Sequence, residues 1–564
     1  MRRLVPSTCV LFMLACEPST GGLKEADEVG SADESGSDES STGSESADDI
    51  CEVGSAGCTC TPGGGCDPGL ECVDDMCSEP ASTSESESSE STSESDTGTC
   101  TTQGCACEEG VPDACEPGLV CEAGTCQPDT CGNGALEVGE ECDDGNRTDV
   151  DGCDADCTYT QVLDLAAGDR HNCAVIEGGT VRCWGEGFFG QLGRGVPENV
   201  GDNETPASVD ALELPAAALA IDAGEAHTCA WFDDQVLRCW GQNYYGQLGY
   251  GNAASVQLLG DDEPLDMLPA LAIGEGEQTD FALGGRHGCA RMADGKLRCW
   301  GGNAYGQLGL ANTVPIGDDE QPAAAAMMFL GASASQVGMG DSHTCAITEG
   351  GYLRCWGRGS RGQLGYGSGQ PIGDNEPPAN AGDLSLVPAS LPPDTRASGL
   401  ALGFEHTCVL FETGDVICWG RNDSGQLATG DNLDWCDQAG ESPSDLEPID
   451  LGGPAVAIAA GSQHTCALLD DASVRCWGEN ERGQLGLGNT TDVGIMQTPA
   501  QAGPLALGGD AIAIVASGEH SCALLDDYGV VCWGWNADGR LGYGHTQTIG
   551  DNEDPEVAGT IELW

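Results

Sequence analysis

The stretch His171–Gly195, HNCAVIEGGTVRCWGEGFFGQLGRG, decides how the rest of the chain is read. It holds two short apolar runs, HNCAVI and TVRCWG, around Glu177-Gly178-Gly179, then a glycine-rich segment carrying Gly-Gln-Leu-Gly. The same order occurs seven times at intervals of 56–63 residues, ending with HSCALLDDYGVVCWGWNADGRLGYG from His520. Its Trp-Gly pairs start at Trp184, Trp240, Trp300, Trp356, Trp419, Trp477 and Trp533. A small-residue apolar strand ending near glycine precedes each copy, as in AVAIAAG and AIAIVASG, and a Gly-Asp-rich turn with another apolar stretch follows. Each unit therefore offers about four short strands, which is one blade of a propeller. Seven blades fall within the range over which such rings close, and closure removes exposed strand edges. The predicted fold class is all-β: a seven-bladed propeller over 160–564, preceded by linkers and small disulfide-rich modules.

The cysteines of the repeats test this geometry. They form seven pairs, each ten residues apart: Cys173 with Cys183, Cys229 with Cys239, Cys289 with Cys299, Cys345 with Cys355, Cys408 with Cys418, Cys466 with Cys476, and Cys522 with Cys532. In a hairpin with a three-residue loop at 177–179, residues whose numbers sum to 356 face each other, and Cys173 and Cys183 do. Facing residues of a non-hydrogen-bonded antiparallel pair lie about 4.5 Å apart at Cα, within disulfide reach. One cross-strand disulfide per blade is expected, which leaves Cys436 over.

The first 157 residues read differently. Arg2 and Arg3 precede a short apolar run, CVLFMLA, too short to span a bilayer. It ends in Met13-Leu14-Ala15-Cys16, which resembles a bacterial lipoprotein box with Met where Leu is usual. That resemblance implies a signal peptide over 1–16, lipid on Cys16, and a place on the outer membrane or cell surface of a Gram-negative bacterium. Ordinary secretion with cleavage nearby is the alternative. Segments 17–50 and 78–99 are Ser/Glu/Asp-rich with almost no large apolar groups, so they are expected to be disordered spacers. Six cysteines lie in 51–77, six in 100–126 and four in 131–157, modules too small to hold together without cross-links. The third, CGNGALEVGEECDDGNRTDVDGCDADC, resembles the Myxococcus cysteine-rich repeat.

Charge excludes whole classes of partner. With 93 acidic and 20 basic residues the formal net charge is −73, which repels phosphate backbones and anionic headgroups. No nucleic acid is expected, and membrane contact only through the lipid. Thirty-three cysteines imply an oxidising compartment, or else many metal sites. No His-Glu-x-x-His, Gly-x-Ser-x-Gly or phosphate-loop motif occurs, so no catalysis is expected. The repeated histidines, His171, His227, His287, His343, His406, His464 and His520, are expected to be hydrogen-bonded at the strand starts. Arg182, Arg238, Arg298, Arg354 and Arg475 are expected to pair with acids on adjacent strands. The Gly-Asp-Asn/Asp-Glu turns, such as Gly201–Glu204 and Gly317–Glu320, and the acidic run 143–151 read as turn chemistry, with Ca²⁺ as the competing use. No other cofactor is implied.

The pattern resembles the regulator-of-chromosome-condensation (RCC1) repeat family. The residues that carry the likeness are Gly190–Gly193, Gly246–Gly249 and their equivalents, the Trp-Gly before them, and His-x-Cys-Ala. The resemblance implies a propeller that recognises proteins on one face of its disc. Its members include a nucleotide exchange factor for a nuclear GTPase, ubiquitin-ligase modules and a secreted inhibitor of β-lactamases. Asymmetry between blades points to the face in question. The two positions before Gly-Gln-Leu-Gly are Phe188-Phe189, Tyr244-Tyr245 and Ala304-Tyr305 in the first three blades, and polar or small later. A structural need would act on every blade alike. Phe188, Phe189, Tyr244, Tyr245 and Tyr305 are therefore the candidate contact residues for a protein or glycan at the cell surface, with local packing against a neighbouring loop as the competing reading. The expected role is a monomeric binding or adhesion module. An inhibitor of an extracellular enzyme, or less favourably a nucleotide exchange factor, is the alternative.

Overall fold

In a computed structural model, the described residues are 140–564 without 144, 147, 155 and 156, together with the backbone of four short strands. Those strands form two antiparallel hairpins, Glu71–Val73 with Met76–Ser78 and Leu119–Glu122 with Thr125–Pro128. Their registers set Cys72 opposite Cys77 and Cys121 opposite Cys126. Cys16 and both linkers lie outside the described residues. Among the described residues, no helix is long and apolar enough to cross a membrane.

From residue 162 onward the chain lays down seven antiparallel sheets in sequence order. Blade 1 is Val162–Ala167, His171–Ile176 and Thr180–Gly185, with the His strand in the middle. The remaining blades occupy 218–259, 278–301, 334–357, 397–420, 455–478 and 511–534. Each middle strand packs against a neighbouring blade, so it reads as an unbroken apolar run and not an alternating one. All six residues of His171–Ile176 are buried.

The outer edge departs from the expected four strands. Three are regular, and the fourth contracts to a single bridge, as at Gly185 with Val200 and Gly534 with Ile549. Only blade 2 pairs a two-residue strand there, Leu258–Leu259. At the bridge of blade 1, Gly185 has a φ of +107°, and a Cβ there would meet the Arg170 carbonyl at 2.3 Å, so only glycine fits.

The expected cystines all form, one per blade, between residues that face each other across the hairpin. Cys173 is bonded to Cys183, Cys229 to Cys239, Cys289 to Cys299 and Cys345 to Cys355. Cys408 is bonded to Cys418, Cys466 to Cys476 and Cys522 to Cys532. Their Cα–Cα distances are 4.0–4.1 Å, a little under the separation expected for such a pair, because the cross-link draws the strands together. Cys142 pairs with Cys153, and Cys157 is also in a disulfide.

Cys436 is a free, fully buried thiol at φ +67°. It stands where the six other blades place the glycine of a turn, followed by aspartate in five of them. That turn is an inter-blade joint: Gly317 lies against the Gly246 carbonyl, and Gly373 against that of Gly306. Ala428 likewise replaces the last glycine of Gly-Gln-Leu-Gly, at φ +53°. Ala428→Gly should raise the unfolding free energy by about 0.5–1 kcal/mol in a urea titration, by relieving a left-handed alanine. A loss of stability would show that the methyl packing outweighs the strain.

Candidate functional site

The blades are joined by a repeated polar relay. Thr228 Oγ1 donates to the Gln191 carbonyl of blade 1 at 3.0 Å, so its oxygen is left to accept from Nε2–H of His171 at 2.8 Å. The indole of Trp240 donates to the same carbonyl at 3.0 Å. His343, Thr407, Gln363 and Trp419 repeat this at the joint of blades 4 and 5. At the ring closure His520 donates to Asn172 Oδ1 at 3.0 Å, and Asn172 Nδ2 donates to the Arg540 carbonyl at 2.7 Å. The C-terminal tail seals that joint, with Ala207 N–H donating to the Glu562 carbonyl. The ring thus closes end on end, without exchange of a strand.

One joint lacks the relay. Blade 3 has Gly288 where the others have a hydroxyl or an amide, and both ring nitrogens of His227 are buried without a partner. That joint is held by buried Asp222, whose Oδ2 accepts from Leu283 N–H and Oδ1 from Ala223 N–H, both at 2.8 Å. Asp164 ties Ile221 in the same way. Burial, offset in part by these two amides, pushes Asp222 up to about 7. Neither aspartate was a candidate from sequence, since a lone acid inside VLDLAA or ALAIDA gives no signal of a bridge to the next blade.

The arginines before the second cysteine act differently from the expectation. Arg182 donates to the carbonyls of Pro206 and Val209, Arg298 to those of Pro322 and Ala325, and Arg475 to that of Leu451. Of the five, only Arg238 and Arg354 also meet acids, Asp234 at 2.6 Å and Asp383 at 2.7 Å. Their partners are the loop carbonyls left unpaired beside each outer strand.

The aromatic residues lie on the face that also carries the turns before each histidine. Phe188 and Phe189 meet edge to face at 5.0 Å, and Phe189 meets Tyr244 of the next blade at 6.5 Å. Phe188 is 62% exposed and Tyr244 46%. Tyr245 and Tyr305 are exposed too, but each carries an arginine of the following blade on its ring. Arg286 stands 4.9 Å over Tyr245 and Arg358 5.4 Å over Tyr305. The candidate patch is therefore a trio in ring-to-ring contact over blades 1 and 2, with Phe189 half-buried between its exposed neighbours, followed by two exposed tyrosines that each carry an arginine. The arginine caps escaped sequence reading because they join residues of different repeats.

The candidate Ca²⁺ turns bring three carboxylates within 4.8 Å of one another at Asp261, Asp262 and Glu263 and at Asp318, Asp319 and Glu320, among the described residues. In the run 143–151, Asp143 and Asn146 accept from the amides of Gly145 and Thr148, which are ordinary Asx turns.

A ring of seven short antiparallel sheets, disulfide-bonded within blades and relay-bonded between them, defines a closed β-propeller. The chain belongs to the RCC1-like family: the family model for the RCC1-like domain matches 257–562, and that for the RCC1 repeat matches 162–191 and 219–247. It is 29% identical over 393 residues to the ultraviolet-B receptor UVR8 of Arabidopsis thaliana, covering 68% of this chain and 80% of that protein. It is 30% identical over 382 residues to the mitochondrial RCC1 domain-containing protein RUG3 of the same plant, covering 64% and 78%. Human E3 ubiquitin-protein ligase HERC2 is 28% identical over 60% of this chain, which spans only 6% of that protein. The crystal structure of human WBSCR16 shares the fold at TM-score 0.52 and 21% identity, over 65% of this chain and 88% of that one.

Proposed function

We propose that this propeller is a non-catalytic recognition module, displayed outside the reducing interior of the cell on a lipid-anchored stalk, that binds a protein or glycan through the aromatic corner of blades 1 and 2. The observation that carries the reading is the trio Phe188, Phe189 and Tyr244, in which the exposed rings of Phe188 and Tyr244 each meet the half-buried ring of Phe189. Apolar aromatic surface exposed in contiguous form is costly unless a partner covers it, and aromatics dominate the energetics of interfaces. Support for the compartment comes from the disulfides, which persist in oxidising surroundings, and for the anchor from Cys16 in its lipoprotein-like box. Support for a binding role without chemistry comes from the seven repeated histidines, all enclosed and six of them hydrogen-bonded across a blade joint.

The test is binding of the labelled propeller, 160–564, to intact cells of the producing bacterium. Phe188→Ser, Phe189→Ser and Tyr244→Ser together should weaken binding by about tenfold or more. Prior treatment of the cells with protease or with periodate tells a protein from a glycan. Unchanged binding by the triple variant sinks the proposal.

A further inference from the structure

Resting on the reading of that corner as the recognition surface, we infer that the Phe188, Phe189 and Tyr244 trio takes an arginine side chain from a basic segment of the partner protein. The ring builds this stack for itself elsewhere. At the joint of blades 2 and 3, Arg286 lies over Tyr245 while its Nε donates to Glu225 at 2.5 Å and its Nη1 to the Tyr245 hydroxyl at 3.3 Å. At the joint of blades 3 and 4, Arg358 lies over Tyr305 and meets Glu405 at 2.9 Å. In blade 7, Trp535 sits between Arg482 at 5.3 Å and Arg540 at 4.5 Å.

At the joint of blades 1 and 2 the same positions hold an aromatic and an acid without the arginine. Phe189 stands where blade 2 has Tyr245, each donating its amide to a Gln Oε1 two residues on at 2.8 Å. Asp169 stands where blade 2 has Glu225, each donating its amide to a glycine carbonyl of the next blade. Ala226 stands where blade 3 has Arg286; both carbonyls accept the amide following Trp-Gly at 2.8 Å. Among the described residues, no arginine stacks on Phe188, Phe189 or Tyr244.

Charge selects the same class of ligand. The chain carries −73, so a basic segment is drawn in and an acidic one repelled. Burial, with repulsion from Glu225 and Asp341, pushes Asp169 up to about 7, offset in part by the Ser517 hydroxyl and by Arg540. A planar guanidinium stacks on aromatic rings better than an ammonium does.

The experiment uses the disulfide-intact propeller and short fluorescent peptides of equal length and charge, rich in arginine, in lysine or in glutamate, at physiological ionic strength. The arginine peptide should bind about fivefold tighter than the lysine peptide, and the glutamate peptide not at all. The triple change Phe188→Ser, Phe189→Ser and Tyr244→Ser leaves the charge unchanged and should weaken arginine-peptide binding by about tenfold. Ala226→Arg keeps the aromatics, supplies the chain's own guanidinium, and should block the peptide equally. Equal affinity for arginine and lysine, or binding indifferent to both variants, overturns the inference in favour of attraction by overall charge. Loss of cell binding in the triple variant with no arginine-peptide binding by the wild type leaves the recognition surface standing and removes its arginine ligand. The reverse pattern keeps the arginine site and removes the cell-surface role.

Discussion

Reduction of the seven blade disulfides is expected to leave a chain that does not hold its native ring at room temperature. Each cystine closes a loop of sequence separation 10, and a cross-link of that span contributes about 2.5–3 kcal/mol by restricting the unfolded chain. Seven of them contribute on the order of 20 kcal/mol, against a total stability of about 5–15 kcal/mol for a typical domain. The half-cystines are at most 3% exposed, so a reductant reaches them only as blades open. Release of free thiols should therefore follow loss of β-sheet circular dichroism and not precede it, and alkylation of those thiols should make the loss permanent. A single blade gives the graded version. Cys345→Ala combined with Cys355→Ala should lower the unfolding free energy by about 3 kcal/mol and Tm by about 3–4 °C. A fully reduced, alkylated protein that still melts sharply near the oxidised Tm would show that apolar packing between blades suffices without the cross-links.

That dependence was legible in the sequence because a hairpin loop fixes register by simple addition. Once Glu177-Gly178-Gly179 is read as the loop, Cys173 must face Cys183, and the structure pairs them so. The same addition holds in the six later blades, where Cys239, Cys299, Cys355, Cys418, Cys476 and Cys532 each meet the cysteine ten residues before them. Features within one repeat were readable for the same reason. What joins one repeat to the next was not. The variable residue of His-x-Cys-Ala was passed over, yet it is Asn172, Thr228, Thr344, Thr407, Thr465 or Ser521 in six copies and Gly288 in one. A side chain able to donate and accept at that place, six times in seven, is the signal of a hydroxyl or amide relay. The exposed aromatics of blades 1–3 were legible as a departure from the repeat. Their division into a trio without an arginine and two tyrosines that carry one was not, since Arg286 and Arg358 enter from the following blades. The outer strand was overestimated because an apolar stretch such as that near Val200 buries its side chain through one bridge as well as through a strand.

The relay also dictates how the ring responds to acid. Burial pushes His171, His227, His287, His343 and His464 down to about 3, His406 to about 4, and His520 well below its ordinary value. These groups stay neutral in the folded ring, each with Nδ1 buried and unpaired, while in the unfolded chain they titrate near 6.5. As pH falls below 6.5 the unfolded state binds up to seven more protons, so stability falls with falling pH. Between pH 7 and 5 each histidine removes about 2 kcal/mol, on the order of 13 kcal/mol together. Asp169, Asp222, Glu320 and Glu479 act in the opposite sense. Their folded values near 7 lie above the unfolded carboxylate value, so they gain protons in the native state over this window. As pH falls to 5 the two aspartates and half-buried Glu479 add about 7 kcal/mol, about half of what the histidines remove, and the more solvent-screened Glu320 adds less. The net loss is on the order of 6 kcal/mol, comparable to the whole stability of a marginal domain with its disulfides intact. Urea titrations at pH 7, 6 and 5 should show a midpoint that falls steeply with pH. His343→Gln, whose amide can still donate to Thr407, should remove one proton from the slope. A urea midpoint equal at pH 7 and pH 5 would mean that the imidazoles accept protons in place, and that the relay between blades does not require them neutral.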